Sequence, residues 1–432
     1  MILRSKSDNI MNEIKRHRLI IVGAGASGMM AGCIAGLYCD DVLILDANNA
    51  AGKKLLATGN GKCNFTNIFV RDDKYNRTGS DTVSDIYERF DFENVLQFFE
   101  RLGVPVRIRD GYCYPYSQEA SSVRDALLFR LRELNVRIKL SNRIKKIEKD
   151  TDGDFFRVIT DEGYAYEAEK VILSCGGMAG SAFGCDGSVY EILKHLGCGK
   201  INKPLPALVG LCSSNSCLGG LAGVRVMVKA ALLSEDETVR CDSGEVIFSS
   251  NGISGIPVMN LSRYAAKILD NGRRCSLKLD FFEDISASDL ERMIKDMLHA
   301  RSIPVEEALV GLINRKLLKV VLKKSGNDEL NADSDELNIK ELAGELKEFE
   351  LDICDTNGFE NAQVTTGGLP LDLIDRSTME TRFCKGLFVT GETLDVDACC
   401  GGYNLQWAWT TGAIAGACAT YGTFDSDRLF KE

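Results

Sequence analysis

Histidine is almost missing from this chain: its 432 residues hold three, His17, His195 and His299, none near another. With no Cys-x-x-Cys pair either, zinc and the ordinary iron–sulfur spacings are excluded, and a histidine base is set aside. No apolar run reaches transmembrane length. The first eighteen residues mix Arg4, Lys6, Asp8, Glu13, Lys15 and Arg16 where a signal peptide needs an apolar block, so a cytoplasmic protein is expected. Positive charge is also in deficit. A net charge of −10 leaves no basic face for nucleic acid or an anionic membrane surface, and neither is expected as a partner. No internal repeat is present, and the sequence sets no oligomeric state. Met11 stands just before the first strand, so a start there would leave residues 1–10 without a structural role.

What the chain does hold is ordinary globular composition, 45% hydrophobic, at a length fit for two or three domains. Its sixteen cysteines are scattered through apparent strands and helices with no export signal, and read as reduced thiols, mostly small buried hydrophobes. The most telling stretch is Leu19-Ile20-Ile21-Val22-Gly23-Ala24-Gly25-Ala26-Ser27-Gly28. An apolar run suits a buried parallel strand, Gly23 makes a tight turn, Gly25 lets backbone approach a pyrophosphate, and Gly28 lets the next helix pack close. The N–H groups of that helix's first turn favour the anion. A second strand, Val42-Leu43-Ile44-Leu45, ends in Asp46, eighteen residues after Gly28 and placed for a ribose hydroxyl.

Strand and helix alternate to about residue 195. Asp91 to Leu102 and Ser121 to Leu134 read as helices. Val136 to Leu140, Arg143 to Lys149, Phe155 to Thr160 and Tyr164 to Ala168 read as strands, followed by Lys170 to Leu173, which ends near Cys175-Gly176-Gly177. That glycine pair lets backbone pass close to a ligand. From Pro204 to Asp280 short strand-like runs (Val224 to Lys229, Glu245 to Phe248, Ser276 to Leu279) suggest a small β domain of barrel type. Helix formers dominate from Ser286 to Glu350, with Lys324 to Leu337 an exposed linker or helix junction. The end returns to strand–glycine–helix style at Lys385 to Glu392 and Cys400 to Trp407. The expected fold is α/β: a doubly wound, Rossmann-like sheet with an inserted β barrel and helical bundle, divided as 1–197 and 351–432 (dinucleotide domain), 198–285 (barrel) and 286–350 (helices). The ligand then sits beyond the carboxyl ends of the strands.

Across essentially its whole length the chain resembles the bacterial two-dinucleotide-binding flavoproteins, a group containing aminoacetone oxidase and an NAD-dependent bile-acid dehydro-reductase. The resemblance rests on Gly23 to Gly28, Gly52 to Asn67, Gly252-Ile253-Ser254-Gly255, Val364 to Gly368, and Gly391-Glu392 through Trp407. It implies FAD, in a domain formed by both chain ends. Lys54 falls in the second of these motifs. Gly59-Asn60-Gly61-Lys62-Cys63-Asn64 suits a loop bordering pyrophosphate or flavin, the alternative being a plain Asn-Gly turn. The Gly402-Tyr403-Asn404 step presents helix N–H groups which, by the resemblance, face the flavin pyrimidine edge and raise its electron affinity. Gly391-Glu392 resembles the acid that binds the ribityl or phosphate region, or is simply solvated. Cys399-Cys400 is either a redox-active dithiol or two ordinary thiols. Tyr112 and Tyr114, alternating with Tyr116, either line a substrate pocket and supply a proton or pack an edge strand.

The implied activity is hydride exchange between flavin and a small or steroid-like substrate. A reductase is favoured over an oxygen-using amine oxidase. No clear second glycine-rich motif for a nicotinamide cofactor follows the first domain, so NADH or NADPH would visit the flavin transiently. The other readings are a non-catalytic regulatory or partner-binding flavoprotein and a disulfide reductase using Cys399 and Cys400.

Overall fold

The computed structural model describes residues 15–79, 82–150, 155–298 and 303–430. The Met11 start and His299 lie outside them. Five parallel strands stand in the order Leu387–Val389, Ala165–Leu173, Lys15–Val22, Val42–Leu45, Arg137–Lys139. Ile21 lies opposite both Ile172 and Ile44. The two central runs Leu19–Val22 and Val42–Leu45 are buried at every position, as the inner strands of a covered parallel sheet are.

Two expected strands, Tyr164 to Ala168 and Lys170 to Leu173, are one continuous strand, Ala165–Leu173. Its first half alternates buried and half-buried residues and pairs antiparallel with Phe156–Thr160. Its second half enters the buried parallel core, and the pattern changes there from alternating to continuous. The first helix, Ala26–Ala35, packs backbone to backbone on the last long helix, Tyr403–Thr420. A Cβ on Gly412 would lie 2.4 Å from the Ser27 carbonyl oxygen, and one on Gly416 2.4 Å from that of Ala31.

The chain leaves this domain through Asn202–Ala207 and returns through Val364–Gly368, which pair antiparallel as a stalk. Beyond the stalk six strands close a barrel in the order Leu211–Ser213, Gly252–Ser254, Glu237–Ser249, Arg225–Ser234, Cys275–Asp280, Phe349–Thr356. The closing strand follows the helical segment and lies across the expected boundary at residue 350. Helix Ile256–Asp270 packs on the barrel through Val258, Leu261 and Ala265. Helices Ala287–Leu298, Arg315–Lys324 and Ile339–Lys347 share the barrel's hydrophobic core. Lys324 to Leu337 is a built junction: Asn327 is fully buried, its Nδ2 donating to the Ser325 and Asn338 carbonyls and its Oδ1 accepting the Asn338 N–H. Among the described residues no helix is long and apolar enough to cross a membrane.

Candidate functional site

A cleft of about 1,050 Å³ opens at the carboxyl ends of the parallel strands, where Val22, Leu45 and Ser174 stop, and runs between the sheet and the outer wall of the barrel. Its floor is the glycine loop. The Ala24 N–H donates to Asp46 Oδ2 at 2.6 Å and the Asn48 N–H to Asp46 Oδ1 at 2.7 Å, so the acid after the second strand also organises the turn after the first. Two glycines of the loop are required for different reasons. A Cβ on Gly28 would sit 1.9 Å from the Gly23 carbonyl oxygen, a clash within the protein. A Cβ on Gly25, whose φ of −82° any residue adopts, meets no protein atom within 4 Å. The space over Gly25, at the helix N-terminus, fits the pyrophosphate of FAD.

Around this floor the fold gathers distant segments. Lys54, Gly59, Asn60 and Asn64 come from one loop, Cys175 and Gly176 from the third parallel strand in chain order to reach the cleft, and Glu392, Gly402 and Asn404 from the chain's end; all line the cleft with Gly23 to Ser27 and Asp46. Seven residues of the expected set do not line it. Gly28, Gly177 and Gly391 stand behind the wall, at Gly177 because Thr365 Oγ1 occupies the position of a Cβ. Gly61 and Lys62 are exposed on the outer rim. Cys63 turns into the core, where burial pushes its thiol up to about 12, and Tyr403 is buried beneath the helix start.

Glu392 is neither solvated nor free. Its Oε2 accepts Lys54 Nζ at 2.6 Å, and its Oε1 accepts Thr365 N–H at 3.1 Å and Oγ1 at 2.8 Å. Lys54 Nζ also donates to the Ala179 carbonyl at 3.0 Å. Burial pulls the Lys54 ammonium down, but the Glu392 carboxylate outweighs it and holds the pKa above the ordinary lysine value. A fixed cation thus stands in the cleft wall. Asn404 clamps its own loop, its amide bonding both the N–H and the carbonyl of Ala398 at 2.9 Å.

Tyr112–Pro115 is the middle strand of a three-stranded sheet, flanked by Thr66–Asn67 and Val106–Arg109, and not an edge. Its alternation turns Cys113 and Pro115 inward and Tyr112 and Tyr114 onto the cleft, while Tyr116 is exposed on the surface. Burial, reinforced by Tyr112, raises the Tyr114 hydroxyl above its usual value, so it keeps its proton at neutral pH. Cys400 lines the cleft and Cys399 does not. Both are free thiols, and burial raises both, Cys400 to about 12, which leaves no nucleophilic thiolate at neutral pH. Neither His17 nor His195 reaches the cleft.

Sequence reasoning missed the clasp between insert and cofactor domain. Arg263, on helix Ile256–Asp270, makes a bidentate pair with Asp397 (Nε to Oδ2 2.8 Å, Nη2 to Oδ1 2.9 Å) and donates to Thr366 Oγ1 at 2.9 Å, with both charged side chains buried. Burial raises the Asp397 carboxyl despite the guanidinium beside it. An arginine set among the buried positions Leu261, Ser262, Ala265 and Ala266 was the available signal.

A phosphate-binding glycine turn on a parallel sheet, opening into a cleft capped by an inserted barrel, defines an FAD-dependent oxidoreductase. The chain belongs to the family described as HI0933-like protein Rossmann domain, whose match spans residues 17–418. It is 37% identical over 411 residues to 3-dehydro-bile acid delta(4,6)-reductase of Clostridium scindens, covering 93% of this chain and 99% of that one. It is 27% identical over 416 residues to ribosomal RNA dihydrouridine synthase of Escherichia coli, covering 94% and 98%. Among solved structures, the open conformation of a flavocytochrome c3 fumarate reductase superposes with a TM-score of 0.48 at 15% identity, covering 95% of this chain and 79% of that one.

Proposed function

We propose that this flavoprotein saturates a carbon–carbon double bond conjugated to a carbonyl in a small apolar substrate, drawing electrons from NADH or NADPH. The observation that carries the reading is the pairing of walls: the Tyr112 and Tyr114 rings line the same cleft as Ile247, Ile256 and Met259 of the insert. At about 1,050 Å³ the cleft exceeds the range of a single drug-sized ligand, leaving room for a dinucleotide and a substrate together. One relative is named as a delta(4,6)-reductase of a 3-dehydro-bile acid and the other as a synthase of dihydrouridine in ribosomal RNA, which supports a reduction. The net charge of −10 favours the small-molecule version over RNA.

Bound FAD supplies hydride chemistry at its isoalloxazine ring. The chain's residues do the rest. The Gly23 to Ser27 turn and Asp46 would hold the adenosine diphosphate half, and Lys54, Gly59, Asn60 and Asn64 would contact the remainder of the cofactor. The N–H groups at the start of helix Tyr403–Thr420 would supply partial positive charge to the ring. The Tyr114 hydroxyl holds the proton for the carbon alpha to the carbonyl, with Tyr112 beside it. Ile247, Ile256 and Met259 exclude water and seat an apolar ring. In this assignment the chain on the near side of the stalk Asn202–Ala207 and Val364–Gly368 carries the cofactor, and the barrel with its helices, closed by Phe349–Thr356, covers the substrate.

The test is anaerobic. NADH or NADPH should bleach the bound flavin, and a 4,6-dien-3-one bile acid should restore the band with one reduced product formed per flavin. A flavin that neither donor bleaches, but that an amine reduces and oxygen reoxidises, overturns the reading in favour of an oxidase.

A further inference from the structure

We propose that Asn260 is a positioning residue through which the insert fixes the Cys399–Gly402 loop against the cofactor. Asn260 Oδ1 accepts the Cys400 N–H at 2.8 Å. Its Nδ2 donates to Asp242 Oδ2 at 2.7 Å, on the barrel strand Glu237–Ser249, and that second bond fixes which way the amide faces. The same helix holds the rest of the neighbourhood. Arg263, three residues on, grips Asp397 just before the loop, and the next residue, Tyr264, donates its hydroxyl to Asn76 Oδ1 at 2.9 Å, on the strand paired with Val396–Ala398. The loop's ties to its own domain lie on either side of Cys400: the Cys399 N–H goes to the Lys74 carbonyl, Ala398 to the Asn404 amide, and the Gly401 carbonyl accepts Asn67 Nδ2 at 3.0 Å. At Cys400 the partner comes from the insert.

The consequence follows from the helix. Met259 adjoins Asn260 and Ile256 lies one turn before it, and both line the cleft. A substrate resting on Ile256 and Met259 therefore presses on the turn that holds the Cys400 amide. Loop position, and with it the aim of the N–H groups beyond Gly402, is set from the substrate side. The proposal rests on the reading that the start of helix Tyr403–Thr420 faces the flavin.

The experiment uses full-length protein loaded with FAD and needs no substrate. The visible band is recorded, and the reduced-to-oxidised flavin ratio is measured against a reference dye during reductive titration, for wild type, Asn260→Ala, Asp242→Ala and Cys400→Ser. Losing one amide bond to the loop should lower the reduced fraction at fixed dye poise by roughly three- to tenfold in Asn260→Ala, the size expected for one buried hydrogen bond. Asp242→Ala, which frees the Asn260 amide to turn, should move ratio and band the same way by less. If Asn260→Ala fails to fold, Asp242→Ala decides alone. Wild-type ratio and band in both variants, while Cys400→Ser shifts them, overturns the proposal and leaves the loop's orientation standing. If Cys400→Ser also changes nothing, the orientation itself is wrong and the proposal falls with it.

Discussion

Replacing Arg263 by methionine removes a cation but leaves Asp397 where it is, 1% exposed and with Thr366 and Lys267 as its remaining polar neighbours. Two charge-assisted bonds to Asp397 and one bond to Thr366 Oγ1 disappear together, while the long side chain keeps most of its volume. Breaking a buried pair from one side costs about 3–5 kcal/mol, because the remaining charge has lost both water and partner. Unfolding entropy of about 2.1 cal/mol/K per residue gives roughly 0.9 kcal/mol/K for the 432-residue chain, so the loss should read as a fall in Tm of about 3–6 °C. The assay is thermal unfolding of the FAD-loaded protein by calorimetry. Arg263→Met with Asp397→Leu should recover most of the fall, since the stranded buried charge is gone, and the double-mutant cycle reads the coupling directly. A drop below about 1 °C in the single variant, or a double variant no better than the single, refutes the assignment of this pair as the clasp.

Gly25→Ala should fold as wild type yet bind FAD at least about tenfold more weakly, whereas Gly28→Ala should lose stability itself; equal FAD affinity in Gly25→Ala, by fluorescence titration, would falsify the pyrophosphate placement. Tyr114→Phe should lower kcat for the dienone about 100-fold with flavin bleaching by NADPH unchanged, and Tyr112→Phe much less; full activity in Tyr114→Phe removes it as proton source. Cys399→Ser and Cys400→Ser should both keep turnover, measured as dienone consumption, because burial keeps both thiols protonated; abolished turnover in either restores the dithiol reading. His17 is pulled below its usual pKa by burial, against the opposing pull of Asp41, so the unfolded chain takes up a proton first as pH falls. Its stabilising share is complete above about pH 6.5 and declines as pH drops from there toward the lower folded value. His17→Gln should flatten that part of the Tm profile, and an unchanged slope contradicts it.

The dinucleotide half of the fold was legible because its signals are local: Leu19 to Gly28 and Val42 to Asp46 carry strand, turn, helix and acid within one short window. The barrel was half legible. The hairpin Arg225–Ser234 with Glu237–Ser249 shows only as the short runs Val224 to Lys229 and Glu245 to Phe248, and Phe349–Thr356 straddles the expected end of the helical region at Glu350, where nothing local says that it closes a barrel begun at Leu211. The continuity of Ala165–Leu173 was hidden by exposed Glu169, which mimics a break. For the site, residue types near glycine turns were found while their directions were not. Cys63 and Tyr403 sit in the right loops and face the core, and Glu392 spends both oxygens on Lys54 and Thr365. Arg263 and Asp397 lie 134 positions apart, and only the folded stalk brings them together.

The close seat of the first helix on the last has a consequence for how the protein is made. Gly412 and Gly416 receive Ser27 and Ala31 almost atom to atom, so nothing else in the chain can cover that face of Ala26–Ala35. About 370 residues separate the two helices. At 5–20 residues per second, the nascent glycine loop and its helix wait roughly 20 to 75 s on the ribosome before their partner emerges. The face carrying Ser27 and Ala31, both buried in the finished protein, is bare for that whole interval, which makes the newborn N-terminal segment a client for whatever chaperone shields apolar helices.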